Sequence, residues 1–161
     1  MHWQLSSRQD AAALPLADRH YNRQKPGTDR FGPPGRSLAL ITPCRRALWL
    51  TTWQQHVQHA WPGAWVCSLF RNEGAALSSV LIREAVAVTR WHFGAPPQHG
   101  MITFVDTAKV RRKRDPGRCY LRAGFVRVGW TSERGFLVLQ LQAEAMPPAE
   151  APLGVTLGLV I

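Results

Sequence analysis

Acidic residues are scarce in this chain: ten Asp and Glu stand against 20 Lys and Arg, leaving a formal charge of +10 over 161 residues. Such an imbalance points to a polyanionic partner, most often nucleic acid. No apolar run reaches the ~18 residues of a membrane-spanning helix, so no membrane partner is expected. The opening stretch, broken by Arg8, Asp10, Asp18 and Arg19, lacks the continuous apolar segment of a secretory signal, and a cytoplasmic location is the expectation. Cysteine is sparse as well. Cys44, Cys67 and Cys119 are odd in number and lack metal-ligand spacing, which favours reduced thiols. His56 and His59 are three apart but have no evident third ligand, so no metal is assigned. Repeats, low-complexity tracts and linkers are absent too, leaving one domain.

Hydrophobic residues make up 45% of the chain, enough for a packed core. Residues 1–18 read as a tether or a first helix, 19–142 as the domain proper, and 143–161 as a Pro- and Ala-rich tail that turns apolar. That tail is expected either as an extra strand or as a poorly ordered end. Residues 20–35, rich in Pro, Gly and Arg, predict an ordered loop. Apolar runs at 37–42 and 47–52, separated by Pro43-Cys44-Arg45-Arg46, predict a hairpin. The nearly unbroken apolar run 64–70 predicts a central strand buried on both faces.

Apolar residues at 77, 81, 82, 85, 86 and 88 predict a helix over 77–93, capped by Ser78, stapled by Leu77 against Ile82, and ended by Gly94. A strand at 101–105, a short helix within 116–123 and strands at 125–131 and 136–141 follow. Strand–helix–strand in the middle requires a right-handed crossover and a parallel pair. The fold class is therefore α/β: a mixed, mostly antiparallel sheet with a central parallel strand pair, flanked by helices. Trp49 and Trp65 are expected in the core, while Trp53, Trp61 or Trp91 is a candidate for stacking on an extruded base.

Four constellations carry chemistry. In Arg71-Asn72-Glu73-Gly74-Ala75-Ala76, a glycine turn between a strand and a helix presents N–H groups to an anion, and Arg71 can reach a phosphate oxygen. Glu73 opposes this unless it is paired, and an Arg71–Glu73 ion pair that locks the turn is the alternative. Tyr120, four residues before Gly124-Phe125, offers a phenolic proton to a departing thiolate, or is simply a buried aromatic. Asp106 ends a parallel strand, where open α/β sheets place ligands, although turns also favour Asp there. His20, in His20-Tyr21-Asn22-Arg23, is a general base, a metal ligand or a surface residue. Beside these, Lys109, Arg111, Arg112, Lys113, Arg114, Arg118, Arg122 and Arg127 are opposed locally by Asp115 alone. They form a phosphate-contacting strip or a solvated loop.

The order of the Arg71–Ala76 loop and the Tyr120–Phe125 segment, with a strand between, resembles the GNAT acyltransferase fold. The phosphate loop of that fold reads Arg/Gln-x-x-Gly-x-Gly/Ala, and its last helix often carries Tyr-x-x-x-Gly-Phe. The His20-Tyr21 pair, Arg71 with Ser78 and Ser79, Asp106, and Gly117-x-x-Tyr120-x-x-Ala123 look like the Mom-type DNA modification proteins of bacteriophages. Those are GNAT-like proteins that convert adenine in DNA into a carbamoylmethylated base.

The resemblance spans about residues 19–141, with the basic insert between Asp106 and Tyr120. It implies a base-modifying transferase with His20, Tyr21, Asp106 and Tyr120 at the reacting centre. It also implies an acyl-CoA donor held by Arg71, Asn72, Glu73, Gly74, Ala75, Ala76, Ser78 and Ser79. DNA would be held by Lys109, Arg111, Arg112, Lys113, Arg114 and Arg118. The other readings are an acetyl-CoA-dependent N-acetyltransferase of a small amine or protein, and a non-catalytic DNA-binding protein on the same scaffold.

Overall fold

Apolar strands that cannot each cover both of their faces assemble into one sheet in the computed structural model, which describes residues 1–23, 25–54, 60–109 and 115–155. Among these residues the elements are β1 (Gln4–Leu5), α1 (Leu14–Asp18), β2 (Arg36–Ile41), β3 (Ala47–Trp53), β4 (Trp65–Asn72), α2 (Ser78–Phe93), β5 (Met101–Val105), α3 (Arg118–Arg122), β6 (Val126–Trp130) and β7 (Leu137–Leu141). The sheet order is β1-β2-β3-β4-β5-β7-β6. Every neighbouring pair is antiparallel except β4 and β5, which the α2 crossover makes parallel. The expected mixed α/β architecture is present. None of the described helices is long and apolar enough to cross a membrane.

Helix α2 turns Leu81, Ile82, Ala85, Val86 and Val88 onto one face of the sheet, against Trp49, Trp65, Met101 and Leu139. On the opposite face Leu16 and Ala17 of α1, with Phe31, pack on Ile41, Leu48, Leu50 and Leu69. Burial on both sides explains the long apolar runs of β3 and β4. Each fully buried side chain of this size contributes roughly 1.5–3 kcal/mol. Trp49 and Trp65 are wholly buried, as expected.

Three local expectations are corrected. The residue preceding helix α2 is Leu77, extended at φ −64°, ψ 127°, and no side chain caps the helix. Ser78 does not cap, because its Oγ accepts a hydrogen bond from Asn72 Nδ2 at 2.9 Å. Leu77 is exposed while Ile82 is buried, so the two do not form a staple. Residues 1–18 hold a strand as well as a helix: β1 pairs with β2, and Trp3 is buried with Nε1 donating to the Leu81 carbonyl at 2.8 Å. The tail is docked as far as it is described. Met146 is buried, Glu150 N–H donates to the Ala87 carbonyl, and Leu153 N–H donates to the Trp3 carbonyl. A single bridge joins Gln4 and Leu153 rather than a full strand.

Candidate active-site cleft

The parallel pair opens where it matters most. Strands β4 and β5 pair only through Trp65–Cys67 and Met101–Thr103, although β4 runs on to Asn72 and β5 to Val105. Beyond Cys67 the sheet separates at the C-terminal ends of its parallel strands, where α/β proteins bind ligands. A bulge helps. Leu50 pairs with Leu69 and Thr51 with Cys67, so Ser68 is the extra residue on β4. The bulge is held on one side by Thr52, whose hydroxyl meets Ser68 Oγ at 2.7 Å, and on the other by Asn22 Nδ2, which donates to the Ser68 carbonyl at 2.9 Å. The result is a cleft of about 140 Å³ lined by His20, Tyr21, Cys67, Phe70 and Tyr120 among others.

His20 is anchored by its neighbour. Because Asn22 Nδ2 is committed to a carbonyl, its Oδ1 faces His20 Nδ1 at 2.6 Å. The Asn22 main-chain N–H also meets His20 Nδ1, at 3.2 Å, so side chain and main chain of Asn22 together hold that edge of the ring. Burial, and then the Arg71 charge, lower the His20 pKa from 6.5, against the Asn22 hydrogen bond and the Phe70 main chain, which pull the other way. The ring is therefore neutral at pH 7 and suited to accept a proton. Tyr21 stacks on it, with ring centroids 4.5 Å apart. Burial raises the Tyr21 pKa, and the main chain of Asp106 faces its hydroxyl.

Tyr120 reaches the same cleft from α3. Its ring packs edge-on against Phe70 and Phe125, and its hydroxyl lies 3.6 Å from Cys67 Sγ. Gly117, at φ 80°, precedes the helix in the left-handed conformation that favours glycine. Burial pushes the Tyr120 hydroxyl well above its ordinary pKa and the Cys67 thiol up to about 12. Both groups keep their protons at neutral pH. Cys67 was not among the sequence candidates: a lone Cys in an apolar strand carries no signal until the fold sets it beside Tyr120.

Asp106 is not among the residues that line this cleft. It lines a second, wider groove that shares Tyr21 with the cleft, and its carboxylate accepts the Ala108 N–H at 3.1 Å, forming the local turn.

The Arg71–Ala76 loop is largely satisfied from within. Asn72 Oδ1 accepts the N–H groups of Gly74 and Ala75 at 3.1 and 2.9 Å, and its Nδ2 donates to the Ala76 carbonyl. Glu73 N–H donates to the Arg46 carbonyl. The Glu73 carboxylate takes two hydrogen bonds from Arg19 and one from Arg71, which hold its pKa down to about 2. Arg71 Nη1 donates to the Arg19 carbonyl at 2.8 Å, so its guanidinium is committed within the protein and not directed outward. The locking ion pair is thus present, widened by Arg19.

Of the basic residues, Lys109 Nζ lies 3.4 Å from the Tyr21 carbonyl, Arg118 is exposed, and Arg127 pairs with Asp115. Arg111, Arg112, Lys113 and Arg114 lie outside the described residues, as do His56 and His59. Among the described residues no three His, Cys, Asp or Glu side chains cluster as a metal site would require. No protein-family model, curated protein or solved structure matches the chain.

Proposed function

We propose that the chain is a GNAT-like transferase that modifies a nucleic-acid base, of the Mom-like kind its motifs resemble. The observation that carries this reading is the opening between β4 and β5, with a proton-bearing Tyr120 and a neutral His20 lining one small cleft. The neutral His20 imidazole would take a proton from the attacking acceptor nitrogen, and the Tyr120 hydroxyl would give one to the departing group. Tyr21 holds the imidazole plane by stacking. Asn22 anchors the ring at Nδ1.

The residues fit an acyl-CoA donor in part. Among the described residues the N–H groups of Ala76, Leu77, Ser78 and Ser79 have no hydrogen-bond partner at the start of the 16-residue helix α2, where a pyrophosphate is favoured by the helix dipole. Those of Glu73, Gly74 and Ala75 are already taken, and Arg71 with Glu73 forms a closed ion pair. Such a donor would supply the activated acyl group. Its affinity is expected to be weak.

The nucleic-acid acceptor is supported by the +10 charge and by the cations concentrated between residues 109 and 127. The occupied loop donors favour a second reading, a nucleic-acid-binding protein without catalysis. Mass spectrometry of nucleosides from DNA of cells expressing the protein separates the two. A modified base, absent from control cells, is expected from the transferase; unmodified DNA is expected from the binding protein.

A further inference from the structure

The wider groove beside the cleft holds the least expected side chain on the surface. Trp130, at the end of edge strand β6, is 61% exposed, and Val126 and Val128 of the same strand are exposed with it. One exposed apolar residue is ordinary, but three on a five-residue strand are not. The backbone that follows the tryptophan is well tied. The β6–β7 turn is pinned by Thr131 N–H to the Phe136 carbonyl at 2.8 Å, by Phe136 N–H to Thr131 Oγ1 at 2.9 Å, and by Gly135 N–H to the Thr131 carbonyl. Arg134 on that turn lies over the Phe136 ring at 5.9 Å, with no carboxylate partner among the described residues.

The groove of about 1220 Å³ is lined by Trp130, Trp61, Arg134, Lys109 and Lys25, and it meets the cleft at Tyr21 and Asn22. Arg23 also lines it but is spent on Asp18 and on the carbonyls of Thr28 and Arg30. Asp106 and Glu133 are its acidic members, and the Asp106 carboxylate is engaged with Ala108 N–H. Counting Arg23, the groove carries four cations against two carboxylates, around an exposed indole.

We infer that this groove binds single-stranded nucleic acid, with Trp130 stacking on one base and Arg134 and Lys109 meeting the backbone phosphates. A cationic groove with an aromatic platform is the arrangement that holds unpaired strands, because every base has a π face while paired bases stack only on each other. The inference deepens the proposed transferase by naming its acceptor as an unpaired stretch of chain, yet binding itself needs none of the cleft chemistry.

The test is fluorescence anisotropy with a labelled oligothymidylate of about ten residues, against a blunt duplex of the same length. Wild type should favour the single strand. Trp130→Ala should weaken that binding about 5–150-fold with an unchanged melting temperature, and Trp130→Phe should recover part of the loss. Arg134→Ala should lower the slope of log K against log salt by about 0.7. A wild-type preference for the duplex, or wild-type affinity in both Trp130→Ala and Arg134→Ala, overturns the inference. If oligonucleotide binding depends on Trp130 while cellular DNA stays unmodified, the groove stands and the transferase reading falls.

Discussion

Arg19 and Glu73 meet across the opening of the fold through two hydrogen bonds of 2.8 Å each, Nε and Nη2 of the guanidinium on the two carboxylate oxygens. Two parallel bonds make this pair more specific than a single contact, and Arg71 closes it from the other side. The carboxylate sits where a bound phosphate would be repelled by it, so it acts as an internal anion that keeps two arginines in place.

Glu73→Gln should therefore free Arg19 and Arg71 for an external anion. Calorimetry with acetyl-CoA is expected to give weak binding for wild type and tighter binding for the variant. Tight binding by wild type would favour an ordinary acetyltransferase.

The same pair sets a pH dependence. The folded pKa of Glu73 is depressed to about 2 from 4.5, so its stabilisation is complete above the unfolded value and disappears as pH falls through the folded one. Partly exposed pairs of this kind are worth up to about 1 kcal/mol. Wild type should melt above Glu73→Gln at pH 7 by at most about 2–4 °C, with the difference shrinking between pH 4.5 and pH 2. A difference that is constant over this window would mean that the pair adds nothing.

His20 predicts the acid limb of activity. Its pKa lies below 6.5, so the ring stays neutral at pH 6.5 and above and loses its basic lone pair only as pH falls further. The unfolded chain binds that proton more readily, so stability also declines as pH drops below 6.5. His20→Gln should flatten the stability profile and reduce the rate by ~10²–10⁴. A wild-type rate that does not fall as pH drops through the acid range in which the protein stays folded would remove His20 from the chemistry.

Thiol reactivity checks the cleft floor. Cys44 is exposed, and the Thr42 hydroxyl 3.4 Å from its Sγ lowers its pKa, whereas Cys67 is buried with its pKa at about 12. Iodoacetamide followed by peptide mass spectrometry should label Cys44 first and Cys67 only on unfolding. Early labelling of Cys67 would mean that the cleft is open to its base.

The elements with strong patterns were legible in the sequence. The α2 stripe, the 101–105 strand and the wholly buried Trp49 and Trp65 follow from periodicity and apolar runs. Relationships that depend on pairing were not. The Ser68 bulge exists only through the register of β3 on β4, and Cys67 acquires meaning only when Tyr120 reaches it. Trp3 reads as part of a tether because nothing local shows that Leu81 has a carbonyl waiting for its indole. Ser78 fits a cap by position, yet Asn72, six residues back, takes its hydroxyl. The Glu73 pair was half legible, since Arg71 is two residues away in sequence while Arg19 is 54 away.

The most direct test compares nucleosides from the DNA of cells carrying wild type and Tyr120→Phe. The substitution removes one hydroxyl beside Cys67 and should cost roughly 0.5–1.5 kcal/mol of stability. Loss of general acid help should cut the rate by ~10²–10⁴. The account predicts a modified base with wild type, its near disappearance with Tyr120→Phe, and unchanged oligonucleotide affinity in both. Equal modification by the two proteins would contradict the assignment of Tyr120, and unmodified DNA with wild type would contradict the transferase itself.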